Sequence, residues 1–326
     1  MTGGAAAPCA REFAGKMHNP VMVREAIDLL APREGGVYLD GTLGGGGHAR
    51  AILGRLGDRG TLIGIDLDPG ALACAGRALE TWRGCTRLLH GNFAEMKTLA
   101  EEQGFRKVDG IILDLGMSSM QVDQAGRGFS FMQEGPLDMR MDSGRGKSAA
   151  DLVAGLKEEE LARIICRLGE EPAGRRIARA IALERRKGGE WTTLRLARTV
   201  ESVVGRRGRI HPATKTFQAL RIAVNGELDN LERGLEAGIA LLAEGGRMAV
   251  IAYHSLEDRI VKGVFREHAG RMASLAEGGS RWEGALPRVK NILKKPLEAS
   301  AEEILLNPRS RSAKLRCIER TSDHGK

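Results

Sequence analysis

The densest run of chemically capable residues is Asp40-Gly41-Thr42-Leu43-Gly44-Gly45-Gly46-Gly47-His48, where an apolar stretch gives way to a carboxylate, glycines and an imidazole. Glycines let backbone amides approach a ligand closely, and the first turn of a following helix favours negative charge. Gly44-x-Gly46-x-x-Ala49 satisfies the dinucleotide fingerprint, with Asp66 about twenty residues on. Nicotinamide dinucleotides and S-adenosylmethionine are both held by such turns, so this pattern alone leaves the two open.

Further acidic and aromatic residues separate them. Asp40 precedes the glycines, where it can accept a cationic amino-acid group, and Asp66 ends the next apolar run, where it can take both ribose hydroxyls. Asn92-Phe93 ends a third run and offers an apolar face for adenine. Asp114 ends a fourth, with Gln121 shortly after. Carboxylates at three neighbouring strand ends repel a diphosphate and suit a sulfonium with a free amine. The expected cofactor is therefore S-adenosylmethionine, and a nicotinamide oxidoreductase is the competing reading.

The segment Asp114-Leu115-Gly116-Met117-Ser118-Ser119 stands where amino-group methyltransferases keep the loop that orients the nucleophile. The exocyclic amine of a nucleobase is a poor nucleophile because its lone pair is delocalised into the ring. It needs an acceptor to align its N–H groups for in-line attack. Asp114, Ser118 or Ser119, and nearby carbonyls can serve. A target base must also be flipped into a pocket, where Phe129, Phe131 or Tyr253 can stack on it, two of the three serving equally well as core residues. His254 faces the same cleft, although a lone histidine at a strand end is more often a hydrogen-bonded structural residue. No spacing suggests a catalytic metal, a serine nucleophile elbow or a phosphate loop.

These residues need elements to hold them. Residues 37–42, 61–68, 86–93 and 108–116 read as buried strands ending in turns, separated by helices over 48–57, 69–82 and 93–104, which implies βαβ units and a parallel sheet. Residues 126–147 have no clean period, and four helices follow from Ser148 to about Arg207, the last capped by Thr192 or Thr193. The sheet pattern then resumes: two helices over 211–246 ending at Gly245-Gly246, a strand over 246–255, a helix over 256–269, and Lys314–Arg320 alternating like an edge strand. The expected architecture is α/β, a doubly wound and mostly parallel sheet with an inserted all-α domain. Its parts are 1–125, 126–210 and 211–326.

The 326 residues carry a net charge of +8, and 42% are hydrophobic, enough for a real core. The charge is segregated: residues 161–220 hold 14 Lys and Arg against 5 Asp and Glu. Such a block fits a polyanion surface, with Arg175, Arg176 and Arg179 as phosphate-contacting candidates. The five cysteines, Cys9, Cys74, Cys85, Cys166 and Cys317, are scattered and odd in number, which argues against a disulfide framework. No run approaches the ~18 apolar residues of a membrane span, and the first residues lack the pattern of a secretory signal, so a cytoplasmic location is expected.

Taken together, several stretches closely resemble the bacterial 16S rRNA cytosine-N4 methyltransferases. They are His18–Val21, 40–50, 64–69, 109–119, 126–142, 175–181, 211–228, 253–262 and 307–316, and they run over nearly the whole chain. The resemblance implies an S-adenosylmethionine-dependent methyltransferase of class I fold with a helical insert, acting on a cytidine of the decoding region of 16S rRNA within the small ribosomal subunit. It places cofactor contacts on Gly46, Gly47, His48, Asp66, Phe93, Asp114 and Gln121. This sequence departs at Met120, where the family usually has Pro, and at Tyr253, usually Phe. The Pro-Pro-aromatic run of DNA amino-methyltransferases is missing.

Overall fold

A computed structural model describes residues 20–206, 208, 210–274, 280–283 and 287–322, without the side chains of residues 119, 120, 271–274 and 280–283. Cys9, His18, Asn19 and Arg207, named above, lie outside the described residues. Strands β1 (Val37–Asp40), β2 (Thr61–Asp66), β3 (Thr86–His90), β4 (Val108–Asp114) and β5 (Leu242–Ala252) pair in parallel, in the order β3-β2-β1-β4-β5. Between β1 and β4 the direction of winding reverses. In such sheets the crevice beyond the strand ends at this switch point is where ligands bind. Asp40 and Asp114 end the two strands that flank it.

The sheet continues past β5. After β6 (Arg271–Ser274) and β7 (Ser280–Glu283), which form a separate hairpin, come β8 (Val289–Asn291), β9 (Leu297–Glu298) and β10 (Lys314–Arg320). Strand β10 runs antiparallel to β5 and is itself covered by β9 at its start and β8 at its end. It is thus an inner strand and not the expected edge. The helix expected to reach Gly245-Gly246 stops at Leu241. Leu242 already pairs with Val108, and the register then shifts before Gly110 meets Arg247.

Period-2 alternation sends the strand side chains to two apolar layers. Tyr38, Leu62, Ile112 and Ile251 pack with α1 (Val23–Leu30), α2 (Gly47–Leu56) and α3 (Pro69–Ala78) on one face. Leu39, Ile63, Leu113 and Val250 face the other layer, built by α4 (Met96–Glu102) and two later helices. After the short α5 (Ser119–Asp123) comes a helical module of α6 (Ala149–Gly155), α7 (Glu158–Leu168), α8 (Gly174–Arg185) and α9 (Thr193–Val204). Thr192 caps α9, its hydroxyl accepting from the Arg195 N–H, whereas Thr193 Oγ1 donates to the Gln133 carbonyl.

The module's apolar cluster runs from Phe129 to Leu220. It thus includes Ala213, the N-cap of α10 (Thr214–Asn225), and Phe217 and Leu220 of that helix, beyond the expected boundary at 210. The chain returns to the sheet through α11 (Glu227–Leu241) and α12 (Ser255–Ala269), and α13 (Ala301–Leu306) precedes β10. Among the described residues no helix is long and apolar enough to cross a membrane.

Candidate active site

The strand ends are tied to one another by the turn that follows β1. Thr42 is the joint: its N–H donates to Asp40 Oδ1 at 3.1 Å, and its hydroxyl accepts the Asp114 N–H at 2.6 Å. Two residues on, the Gly44 N–H donates to Asp66 Oδ2 at 2.7 Å, while Asp66 Oδ1 accepts from the Asp68 N–H. Gly44 and Gly46 have φ of +52° and +81°, the left-handed region that glycine enters without strain. A β-carbon at Gly45 would meet nothing within 4 Å, so the backbone is open there. Gly46 is closed in by Ala75 and Leu79, and Gly47 by Pro20. The expected contact glycines thus sit against Ala75 and Leu79 (Gly46) and against Pro20 (Gly47), and the backbone beside them is open at Gly45.

The Asp114 carboxylate meets two side chains. Tyr253 Oη donates to its Oδ1 at 2.7 Å, and its Oδ2 lies 3.7 Å from His48 Nδ1. His48 Nε2 meets the Val21 carbonyl at 3.0 Å. A carbonyl only accepts, so Nε2 carries the hydrogen and Nδ1 presents a bare lone pair. Burial pushes the His48 imidazole below its usual value, which keeps it neutral near pH 7.

Burial also pushes Asp114 up to about 7, opposed by the Tyr253 hydrogen bond and reinforced by the Glu257 charge. Asp40 is raised to about 6, again chiefly by burial, with His48 and the Thr42 N–H opposing and Asp114 and Asp66 adding to it. Asp66 is raised too, by burial, although two N–H donors hold it back. Three carboxylates at adjacent strand ends thus resist ionising together, and a cation beside them would remove that resistance.

Phe93 follows β3 and packs between Gly41 and Gly234, where added β-carbons would come within 3.1 and 2.4 Å of it. Its ring is half-buried. Gln121 is buried, its Nε2 donating to Asp68 Oδ2 and its Oε1 accepting from the Ser118 N–H. Ser118 Oγ in turn accepts from the Gln121 N–H. Ser119 opens α5, and its side chain lies outside the described residues.

The structure places three of the candidate residues in packing or capping contacts. Phe129 is a core residue of the helical module, 6% exposed beneath the Arg127 guanidinium, and has no free face for a base. Phe131 packs against the His211 and Phe217 rings, with centroids 4.5 and 4.9 Å away. His254 caps α12: its Nδ1 accepts the Glu257 N–H, while Glu257 Oε2 accepts the Tyr253 and His254 N–H groups. Arg175, Arg176 and Arg179 are exposed along α8.

Among the described residues, Glu227, His254 and Glu257 bring possible metal-ligand atoms within 4.8 Å of one another. Glu227 is held in a bidentate pair by Arg221 at 2.9 and 2.8 Å. His254 Nδ1 and Glu257 Oε2 serve the cap of α12, whereas the buried His254 Nε2 has no hydrogen-bond partner among the described residues and lies 3.2 Å from Glu257 Oε1. The sequence alone assigns no role to Asp68, Arg127 and Glu257, and holds Thr42 and Gly45 only as members of the glycine run. Only Asp68 carries a local signal, an aspartate just before Pro69 that marks the N-cap of α3.

The sequence matches the MraW methylase family over residues 15–321. A Ribosomal RNA small subunit methyltransferase H from Pelobacter propionicus is 50% identical over 312 residues, covering 94% of this chain and 100% of the relative. Proteins of the same name from Parvibaculum lavamentivorans and Geobacter sulfurreducens are 51% and 50% identical, covering 94% and 93% of this chain and 90% and 98% of the relatives.

Proposed function

The chain belongs to the MraW methylase family, and from that premise we propose that it transfers a methyl group from S-adenosylmethionine to N4 of a cytidine in the decoding region of 16S rRNA. The observation that carries this reading is the rim of Asp40, Asp66 and Asp114 around a glycine bend, with Asp40 and Asp114 raised to about 6 and 7. A ligand bearing a sulfonium and an ammonium fits such a rim, and a diphosphate does not. When bound, S-adenosylmethionine supplies a methyl group on a positively charged sulfur, which a nucleophile takes by in-line displacement.

Asp66 accepts two N–H groups and keeps a lone pair on each oxygen for ribose hydroxyls. Phe93 offers its half-buried ring to the adenine, and the open backbone at Gly45 lets the ligand approach. Asp40 balances the amino-acid ammonium. Gln121 steadies the loop after β4 through Ser118. Asp114 aligns the cytosine amine and takes the proton it loses at Oδ2, the oxygen that Tyr253 leaves unengaged. These roles need no metal ion.

The test is to map methylation by mass spectrometry of rRNA from cells with and without the protein. A cytidine N4 mark in the decoding region that vanishes without the protein is the expected result; a mark at another atom, or none, refutes the reading. The partner is the small ribosomal subunit, and the place of work is the cytoplasm. A binding factor with an inactive cofactor site would still associate with subunits but incorporate no methyl.

The exposed arginines of α8 give a second test. Neutralising Arg175, Arg176 and Arg179 together to Gln is expected to weaken RNA binding roughly tenfold and to flatten its salt dependence by about two units of slope. Donor affinity should stay unchanged. Filter binding over a range of salt, with calorimetry for the donor, measures both, and a fall in donor affinity would make these arginines structural.

A further inference from the structure

We propose that Tyr253 is a positioning residue for methyl transfer, its hydroxyl pinning Oδ1 of Asp114 so that Oδ2 alone is presented to the incoming amine. The inference rests on the function proposed above and deepens it. Tyr253 directly follows β5, the strand next to that of Asp114, and Oη stands 2.7 Å from Oδ1. A phenol has one hydrogen, which Asp114 receives, so the pair has a single donor and a fixed direction.

The surroundings hold Tyr253 in this pose from both sides. Gly116 has φ of +105°, and a β-carbon there would lie 3.4 Å from Tyr253 Cδ2, so the chain after β4 can pass close to the ring. Glu257 Oε2 accepts the Tyr253 N–H at 2.7 Å. Glu257 is only 3% exposed and is itself fixed by the His254 cap at the start of α12. The cap made by His254 and Glu257 thus ends on the tyrosine that touches Asp114.

Consider what Asp114 does without the hydroxyl. Its two oxygens would become interchangeable by rotation about χ2, and the oxygen meant for the amine could turn away. The groups facing it are His48 from α2, neutral and presenting a lone pair, Asp40 from β1, Glu257 from α12, and the Thr42 hydroxyl, which is occupied by the Asp114 N–H. His48, as a neutral imidazole, brings no positive charge to this set. The Tyr253 hydroxyl is therefore the group that favours the ionised, proton-accepting form of Asp114.

Tyr253→Phe removes one oxygen and keeps the ring against Gly116. Methyl transfer to small subunits lacking the mark is followed for both proteins between about pH 5.5 and 9, with donor binding by calorimetry. The acid limb of kcat/KM is expected to move up by about one pH unit, so the variant is about tenfold slower near pH 6 and within about twofold of wild type near pH 9. The donor KM should change by less than about twofold. Superimposable pH profiles, or a uniform fall in rate at every pH, would overturn the positioning role. A wild type that binds no donor and transfers no methyl would overturn the proposed function itself, and this inference with it.

Discussion

Asp114→Asn is expected to slow methyl transfer about a thousandfold and, near pH 8, to make the donor-free protein more stable than the wild type by ~2 kcal/mol. Both effects come from one charge. The carboxyl titrates at about 7 in the folded chain against 3.8 when free. A group raised in this way contributes stability below the unfolded value, near pH 4, and loses it as the pH climbs through about 7. Roughly three units at somewhat over ~1 kcal/mol each set the upper bound. The side chain is 23% exposed, and the water near it reduces that to ~2 kcal/mol, or roughly 4 °C in Tm.

Asparagine keeps the shape of the site and removes the charge. Its Oδ1 still accepts from Tyr253, and its Nδ2 can face the lone pair of His48 Nδ1. What it cannot do is take a proton from the amine. Thermal melts near pH 4.5 and 8, with methyl incorporation into unmodified small subunits, make the comparison. The stability gain should shrink to roughly a quarter at the lower pH, where the folded carboxyl is neutral but the unfolded one is still mostly ionised. A variant less stable than wild type near pH 8, or one transferring methyl within about tenfold of the wild-type rate, would remove Asp114 from this role.

Asp40, Asp66 and Asp114 were legible in the sequence because each ends an apolar run too hydrophobic to be anything but a buried strand, and βαβ order then brings such ends together. The glycine bend was legible for the same reason, but which glycine stays open was not. That depends on Pro20, Ala75 and Leu79, which meet the bend only in the fold. Likewise the inner place of β10 depends on β8 and β9, three and two residues long, too short to carry a period. Phe129 lies in a segment without a clean period, so the sequence left stacking and core roles open, and only the insert's packing shows it buried. The bond from Tyr253 to Asp114 joins positions 139 apart, and neither neighbourhood hints at the other.

The least legible contact also has the largest expected effect on stability. Arg127 Nη1 donates to Asp68 Oδ2 at 2.7 Å, and Nη2 donates to the Arg140 and Met141 carbonyls at 3.1 and 2.8 Å. Asp68 caps α3 through the Gly70 N–H and also accepts from Gln121. One guanidinium thus joins the cofactor side of the sheet to the loop that enters the helical module. That loop is further fixed by Asn225, which accepts the Met141 N–H and donates to the Met139 carbonyl. Met139, with φ of +64°, holds a backbone conformation that needs such support.

Arg127→Met should therefore cost about 3–4 kcal/mol, a fall in Tm of roughly 6–10 °C, because it leaves a buried carboxylate short of its counter-charge and two carbonyls without donors. Turnover on RNA should drop at least about tenfold as the module loses its register with the site. Pairing the change with Asp68→Asn keeps the helix cap and removes the orphaned charge, so the double variant should regain about half of the lost stability. Urea denaturation of the wild type, the two single variants and the double variant gives the coupling. A loss below about 1 kcal/mol for Arg127→Met, or strict additivity in the double variant, would show that the guanidinium does not join the two parts.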